Sequence, residues 1–263
     1  MPERRASRHE GMSHPVGRMP GPGVLARQLL WLIRPESVVG RSKVRVGNPD
    51  GDGGYVMVDA FEGVAGALSV GIGGDVSWDL EIANRGITVF QYDHTVSGPP
   101  VPHPRFRFSQ AGIAEAGSPD GPFASLDQMV AAMPGDGDVI AKLDVEGAEW
   151  AALSSVSRQT MHRLGQMVIE LHAPMTGDGA AGIGNLAILE RIARTHAVVH
   201  VHANNYAGVS SLDGIRIPQV IEITYFRRSG IDFAPCHEEL PTSLDRPNDP
   251  ERPDIPMNEI LAQ

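Results

Sequence analysis

The chain of 263 residues carries 22 basic against 32 acidic side chains, a formal charge of −10, with 41% hydrophobic and 21% charged residues. This balance excludes a disordered chain and a long apolar span, and it argues against nucleic acid or an anionic membrane as the main partner, because phosphate is held by clustered Lys and Arg. One cysteine, Cys236, excludes an internal disulfide framework. The expectation is a soluble, cytoplasmic protein that takes a neutral or cationic small molecule, with its oligomeric state open.

In chain order, residues 1–23 are rich in Gly, Pro, Arg and Met without periodicity, and they read as a flexible leader. Leu25, Leu29, Leu30, Trp31 and Ile33 then give an apolar helix face ended by Pro35. Seven runs rich in Val and Ile read as strands, over 66–74, 87–93, 105–114, 138–144, 166–172, 197–203 and 219–226. Helical patterns fall between them at 76–86, 123–135, 148–157 and 185–196, the last with Asn185 as its cap. This alternation predicts an α/β fold, a mostly parallel seven-stranded sheet with helices on both faces. Residues 204–218 show no helical pattern, so the return is hairpin-like and the last strand antiparallel. Residues 24–230 form the expected domain, and the Pro- and Asp-rich 231–263 a surface-hugging or loose tail.

Gly71-Ile72-Gly73-Gly74-Asp75 lies between a strand and a helix, where small residues allow a tight turn and close approach of a ligand. Asp93 ends the next strand, where a carboxylate can accept both hydroxyls of a ribose. A bare turn and a helix cap are the plain alternatives, but the joint placement predicts a nucleoside-type cofactor. A dinucleotide fingerprint needs a small residue where Val76 stands, which disfavours pyrophosphate. The pattern resembles class I S-adenosylmethionine-dependent methyltransferases, Rossmann-like proteins with a seven-stranded sheet whose last strand is antiparallel. That resemblance assigns Gly71, Gly73, Gly74 and Asp93 to the cofactor, with Gln110 and Ala111 at the adenine.

Side chains two apart in a strand share a side, so Asp144 pairs with Glu146, Glu170 with His172, His200 with His202 and Glu222 with Thr224. The strand ends are expected to bring Asp144, Glu170, His172, His202 and Glu222 into one crevice, since buried carboxylates must be paired, protonated or bound to a cation. Two chemistries use such a set. Either His172 or His202 removes a proton from a substrate hydroxyl, or Asp144, His172, His202 and Glu222 hold magnesium, manganese or zinc. Glu149, in a first helical turn, needs no more than the helix dipole. Asp50 to Tyr55 reads as a turn covering the cofactor with Tyr55 beneath it, since Phe61 stands where a calcium loop needs Glu. Trp78 and Trp150 read as core.

Three motifs carry a closer resemblance. AKLDVEGAEW, from Ala141 to Trp150, resembles the K-[LI]-D-[IV]-E-G-x-E signature of FkbM-type methyltransferases. NPDGDGGYVM, from Asn48 to Met57, and VIELH, from Val168 to His172, resemble that family's D-G-G-Y-V and E-[IL]-H elements. The likeness covers roughly residues 45–226. It implies O-methylation of a hydroxyl on a sugar or secondary metabolite, with Asp144 between S-adenosylmethionine and the acceptor. It further implies Tyr55, Glu170, Asn204 and Asn205 around the acceptor, near His202 and Glu222. The rival readings are an NAD(P)-type oxidoreductase and an inactive methyltransferase fold serving as an assembly partner.

Overall fold

Neighbouring residues of each buried strand point into two different cores, and this alternation determines the layers. The computed structural model describes residues 20–117, 121–175 and 179–263. Its first half comprises α1 (Pro22–Leu32), β1 (Glu36–Val38), β2 (Lys43–Gly47), β3 (Gly54–Val58), β4 (Gly66–Val70), α2 (Ser77–Asn84), β5 (Val89–Tyr92), β6 (Phe106–Ser109), β7 (Gly112–Ile113), β8 (Phe123–Ala124) and α3 (Leu126–Ala131). There follow β9 (Val139–Leu143), α4 (Glu149–Ser155), α5 (Arg158–Arg163), β10 (Leu164–His172), α6 (Gly179–Ala193), β11 (His196–Ala203), β12 (Val209–Leu212), β13 (Ile215–Pro218), β14 (Val220–Arg227), β15 (Phe233–Pro235) and α7 (Met257–Leu261).

The seven expected runs supply one sheet in the order β11-β14-β10-β9-β4-β5-β6. Strands β6, β5, β4, β9 and β10 run parallel, and β14 is antiparallel to both β10 and β11. A small hairpin, β12–β13, makes the helix-free return. On one face Leu68, Ala141, Leu143, Met167 and Ile169 pack with Leu29 of α1, Leu153 of α4 and Leu189 of α6. On the other, Ala67, Ile140 and Val168 meet Trp78 and Ile82 of α2 and Tyr55 and Met57 of the β2–β3 hairpin. Burying a large apolar side chain on either side stabilises the fold by about 1.5–3 kcal/mol.

The structure departs from the sequence reading in several places. Residues 1–19 of the expected leader lie outside the described residues, and its end already belongs to α1, which starts with Pro22 and whose Gly23 N–H donates to Asp213 Oδ2 at 2.9 Å. The run 105–114 breaks at Ala111 into β6 and β7, because Ala111 N turns back onto Ser109 O at 2.8 Å. Helix α6 begins at Gly179, so Asn185 lies inside it and donates Nδ2 to Pro174 O rather than capping. The segment 231–263 is no loose tail: β15 pairs with β1, and Leu240, Met257, Ile260 and Leu261 are buried in the main core.

Candidate functional site

Strands β4, β5 and β9 deliver their carboxyl ends to one side of the sheet, and a cavity of about 500 Å³ opens there. Its floor is the glycine loop after β4. Gly71 adopts φ +78°, and a Cβ there would lie 1.7 Å from Asp144 O, so only glycine lets the β4 and β9 ends close on each other. A Cβ at Gly73 or Gly74 would meet nothing within 4 Å, so these two face open space.

Asp93 fastens this loop. Its Oδ2 accepts from Ile72 N at 3.0 Å and Gly73 N at 2.9 Å, and its Oδ1 from Thr95 N and Oγ1 at 2.7 and 2.6 Å. Burial pushes the carboxyl up, but the Thr95 hydroxyl and the backbone donors of Gly73, Thr95 and Ile72 outweigh it and hold the group below its usual range. Beneath the loop lies Asp79, which no sequence pattern marked: it is wholly buried, raised by burial, and held by Ser69 Oγ and Gln91 Nε2.

The wall after β6 differs from expectation. Gln110 is exposed and Ala111 packs toward the core, and neither lines the cavity; Gly112 and Ile113 do, because the chain turns before β7. A Cβ on Gly112 would sit 2.7 Å from both His94 and Phe123, whose rings lie 5.1 Å apart. Gly112 thus lets the two rings pack against each other over it. Phe123 and His94 carried no sequence signal.

At the mouth, Asp144 lies just past β9. Its Oδ2 accepts from the Tyr55 hydroxyl at 3.4 Å and lies 3.7 Å from Lys142 Nζ, which donates to Gly71 O at 2.8 Å. Burial, then Asp144 and the neighbouring acids, raise the Tyr55 phenol well above its ordinary value, so it remains a donor. The following turn is strained: Glu146 has φ +54°, and Ala173, next to His172, has φ +44°. That turn brings Glu146 Oε2 to 3.3 Å from His172 Nε2 and Glu149 Oε1 to 3.1 Å from His172 Nδ1. Glu149 therefore does more than answer a helix dipole. Wholly buried, it accepts from Val145 N and Gly147 N while gripping the imidazole. The Glu149 hydrogen bond is the largest influence on His172 and raises its pKa against the opposing effect of burial. Trp150 Nε1 donates to His172 O at 2.7 Å and pins the strand end.

The expected single crevice divides in two. Glu170, Glu222 and His202 stand abreast across β10, β14 and β11, as their register requires. They are buried and belong to neither side of the cavity mouth, because residues 245–254 cover them. His202 gives both nitrogens to carboxylates, Nδ1 to Glu222 at 3.0 Å and Nε2 to Asp254 at 3.0 Å. Burial alone would lower this imidazole, but Glu222 and Asp254 raise it to about 10. His202 is an imidazolium with no lone pair to offer, and so no base. Burial followed by repulsion from Asp144 and Glu222 drives Glu170 far upward and keeps it protonated.

Asn204 donates to Glu170 at 2.7 Å, and Asn205 clasps Asp249 and Arg252 backbone oxygens, so neither faces the cavity. Asn248 bridges Glu222 at 2.6 Å and Asp52 at 2.8 Å. The metal quartet Asp144, His172, His202 and Glu222 consequently does not assemble. Among the described residues, Asp144, Glu146 and His172 are the group whose ligand atoms lie within 4.8 Å of one another.

No protein-family model and no curated protein matches the chain. Among solved structures it is similar to one titled "Putative hemolysin from Streptococcus thermophilus", at 13% identity and a TM-score of 0.34, over 74% of this chain. The chain spans 64% of that protein's length. No described helix is long and apolar enough to cross a membrane.

Proposed function

We propose that the chain is a Rossmann-like class I methyltransferase that uses S-adenosylmethionine to methylate a hydroxyl of a small molecule, with His172 as the base. One observation carries the reading: the glycine loop tied to Asp93 opens into a cavity lined by Asp144 and Glu146, and Glu146 lies 3.3 Å from the His172 that Glu149 holds. The sheet order, with β14 reversed between β10 and β11, supports it.

The cavity's residues fit the cofactor. A volume of about 500 Å³ lies in the range of small-molecule sites. The open space over Gly73 and Gly74 and the paired His94 and Phe123 rings on the cavity wall suit a nucleoside. Asp52, Asp75, Asp93, Asp144 and Glu146 line the space against one lysine, Lys142. That surplus favours a cationic ligand and opposes a dinucleotide pyrophosphate, which weakens the oxidoreductase alternative.

The bound sulfonium would supply an electrophilic methyl group. The chain's own residues handle the proton and the alignment. Glu149 holds the proton on His172 Nδ1, and Nε2 takes the hydroxyl proton once the acceptor displaces the exposed Glu146 carboxylate, which lies 3.3 Å from it. Asp144, fixed by Tyr55 and Lys142, lies beside that path and orients the hydroxyl. In the second reading Asp144, Glu146 and His172 would hold a divalent cation, which would supply Lewis acidity to the acceptor hydroxyl. Calorimetric titration with S-adenosylhomocysteine tests the proposal, and absence of binding at millimolar ligand would sink it. Full activity after chelation and dialysis would remove the metal reading alone.

A further inference from the structure

A second hollow, of about 440 Å³, lies on the other side of His172. His172 lines it, while Glu146, 3.3 Å from His172 Nε2, lines the first cavity, so the two spaces adjoin at this pair. Its walls come from the strained end of β10 and from the β12–β13 hairpin, chiefly Ala173, Met175, Ala207, Ile217, Pro218 and Val220.

The chemistry of these walls is specific. No lining side chain is an acid, a lysine or an arginine, in contrast to the acid-rich first cavity. The two neutral polar side chains are committed to the hairpin. Gln219 Nε2 donates to Ser210 Oγ at 3.2 Å, and Gln219 Oε1 accepts from Gly208 N at 3.3 Å. The Gln219 backbone is occupied as well, its carbonyl accepting from Ala173 N and its N–H donating to Gly208 O. Tyr206 and Val209, on the same segment, remain exposed. A polyhydroxylated ligand would leave most of its hydroxyls unpaired here, whereas an apolar ring system would be covered without such loss.

We infer that this hollow binds the acceptor, and that the acceptor is a neutral, largely apolar ring compound carrying the hydroxyl that reaches His172, rather than a sugar. The inference rests on the methyltransferase reading for the meaning of "acceptor", but its binding surface can be tested separately. The experiment uses the full chain saturated with S-adenosylhomocysteine and measures binding of 2-naphthol and of methyl glucoside by equilibrium dialysis. Saturable 2-naphthol binding is expected, with methyl glucoside at least tenfold weaker.

Ala207→Phe, which fills the hollow from its loop side, should weaken 2-naphthol binding at least tenfold while S-adenosylhomocysteine affinity stays within twofold. If Ala207→Phe lacks the wild-type circular dichroism spectrum, Ser210→Phe on the hairpin wall provides the same readout. Equal 2-naphthol binding by wild type and a folded filled variant overturns the inference, as does tighter binding of methyl glucoside. Failure of S-adenosylhomocysteine to bind wild type overturns the methyltransferase reading instead, and the dialysis, repeated without it, still reports on the hollow.

Discussion

His172 and Glu149 form a fixed pair: the imidazole Nδ1 stands 3.1 Å from a carboxylate that is wholly buried and already holds two backbone N–H groups. Glu149 cannot swing away without exposing Val145 N and Gly147 N, so the orientation of the ring is set by the turn after β9. If His172 is the base, His172→Ala should lower the methyl-transfer rate about 10²- to 10⁴-fold with S-adenosylhomocysteine affinity unchanged. Single-turnover assay and calorimetry measure the two effects.

Glu149 also sets the pH at which the base works. Its hydrogen bond raises the His172 pKa, and a base is active when deprotonated, so activity should rise with pH through a midpoint above the ordinary histidine value. Glu149→Gln removes the largest raising influence, and the midpoint of the pH–rate profile should move down. A midpoint that stays put would show that Glu149 does not tune His172.

The glycines of the loop should separate fold from binding. Gly71→Ala forces a Cβ against Asp144 O at a positive φ and is expected to cost more than about 4 kcal/mol in denaturant unfolding. Gly74→Ala meets no atom within 4 Å, so it should leave the unfolding midpoint unchanged while weakening S-adenosylhomocysteine binding.

Asp93→Ala should do both kinds of damage, because the carboxylate holds Ile72 N and Gly73 N as well as facing the cavity. Loss of hydrogen bonds to a charged group predicts about 1.5–3 kcal/mol of destabilisation alongside weaker cofactor binding. Asp93→Asn, which keeps one acceptor oxygen, should recover part of the stability.

The buried row gives a pH dependence of stability. His202 is raised to about 10 in the folded chain from an ordinary value of 6.5, so its contribution is complete below pH 6.5 and is lost as pH climbs toward 10. Glu170, protonated when folded and ionised when unfolded at neutral pH, adds a loss of the same sign. The thermal midpoint should therefore fall between pH 6.5 and 10, and His202→Gln should flatten that slope. Asn248→Ala, which strips Glu222 and Asp52 of a donor, should cost about 1–3 kcal/mol at neutral pH.

Much of the sheet was readable because β4, β9, β10, β11 and β14 are short runs in which apolar residues predominate and the helix-free stretch before β14 forces a reversal. Gly71, Asp93, Asp144 and His172 were legible as strand ends, which backbone geometry alone assigns to the ligand edge. Glu149 was not, because its reach to His172 depends on positive φ at Glu146 and Gly147, which no periodicity encodes. The burial of Asn205, His202 and Glu222 was not legible for a non-local reason: their partners Asn248 to Asp254 lie in a segment whose Pro-rich composition resembles a free tail, while Glu170 and Asn204 turn to each other. His200 makes the same point, its Nε2 lying 2.8 Å from Asp245 Oδ1.

That covering segment bears on how the chain comes to be folded. Asp254, Asn248 and helix α7 are made after every strand of the central sheet. Until they appear, His202 lacks one of its two carboxylates, Glu222 its amide donor, and the core Met257, Ile260 and Leu261. A nascent sheet would hold an unmatched charge and an uncovered apolar edge at β11–β14, so the domain should close only once residues 245–261 have left the ribosome.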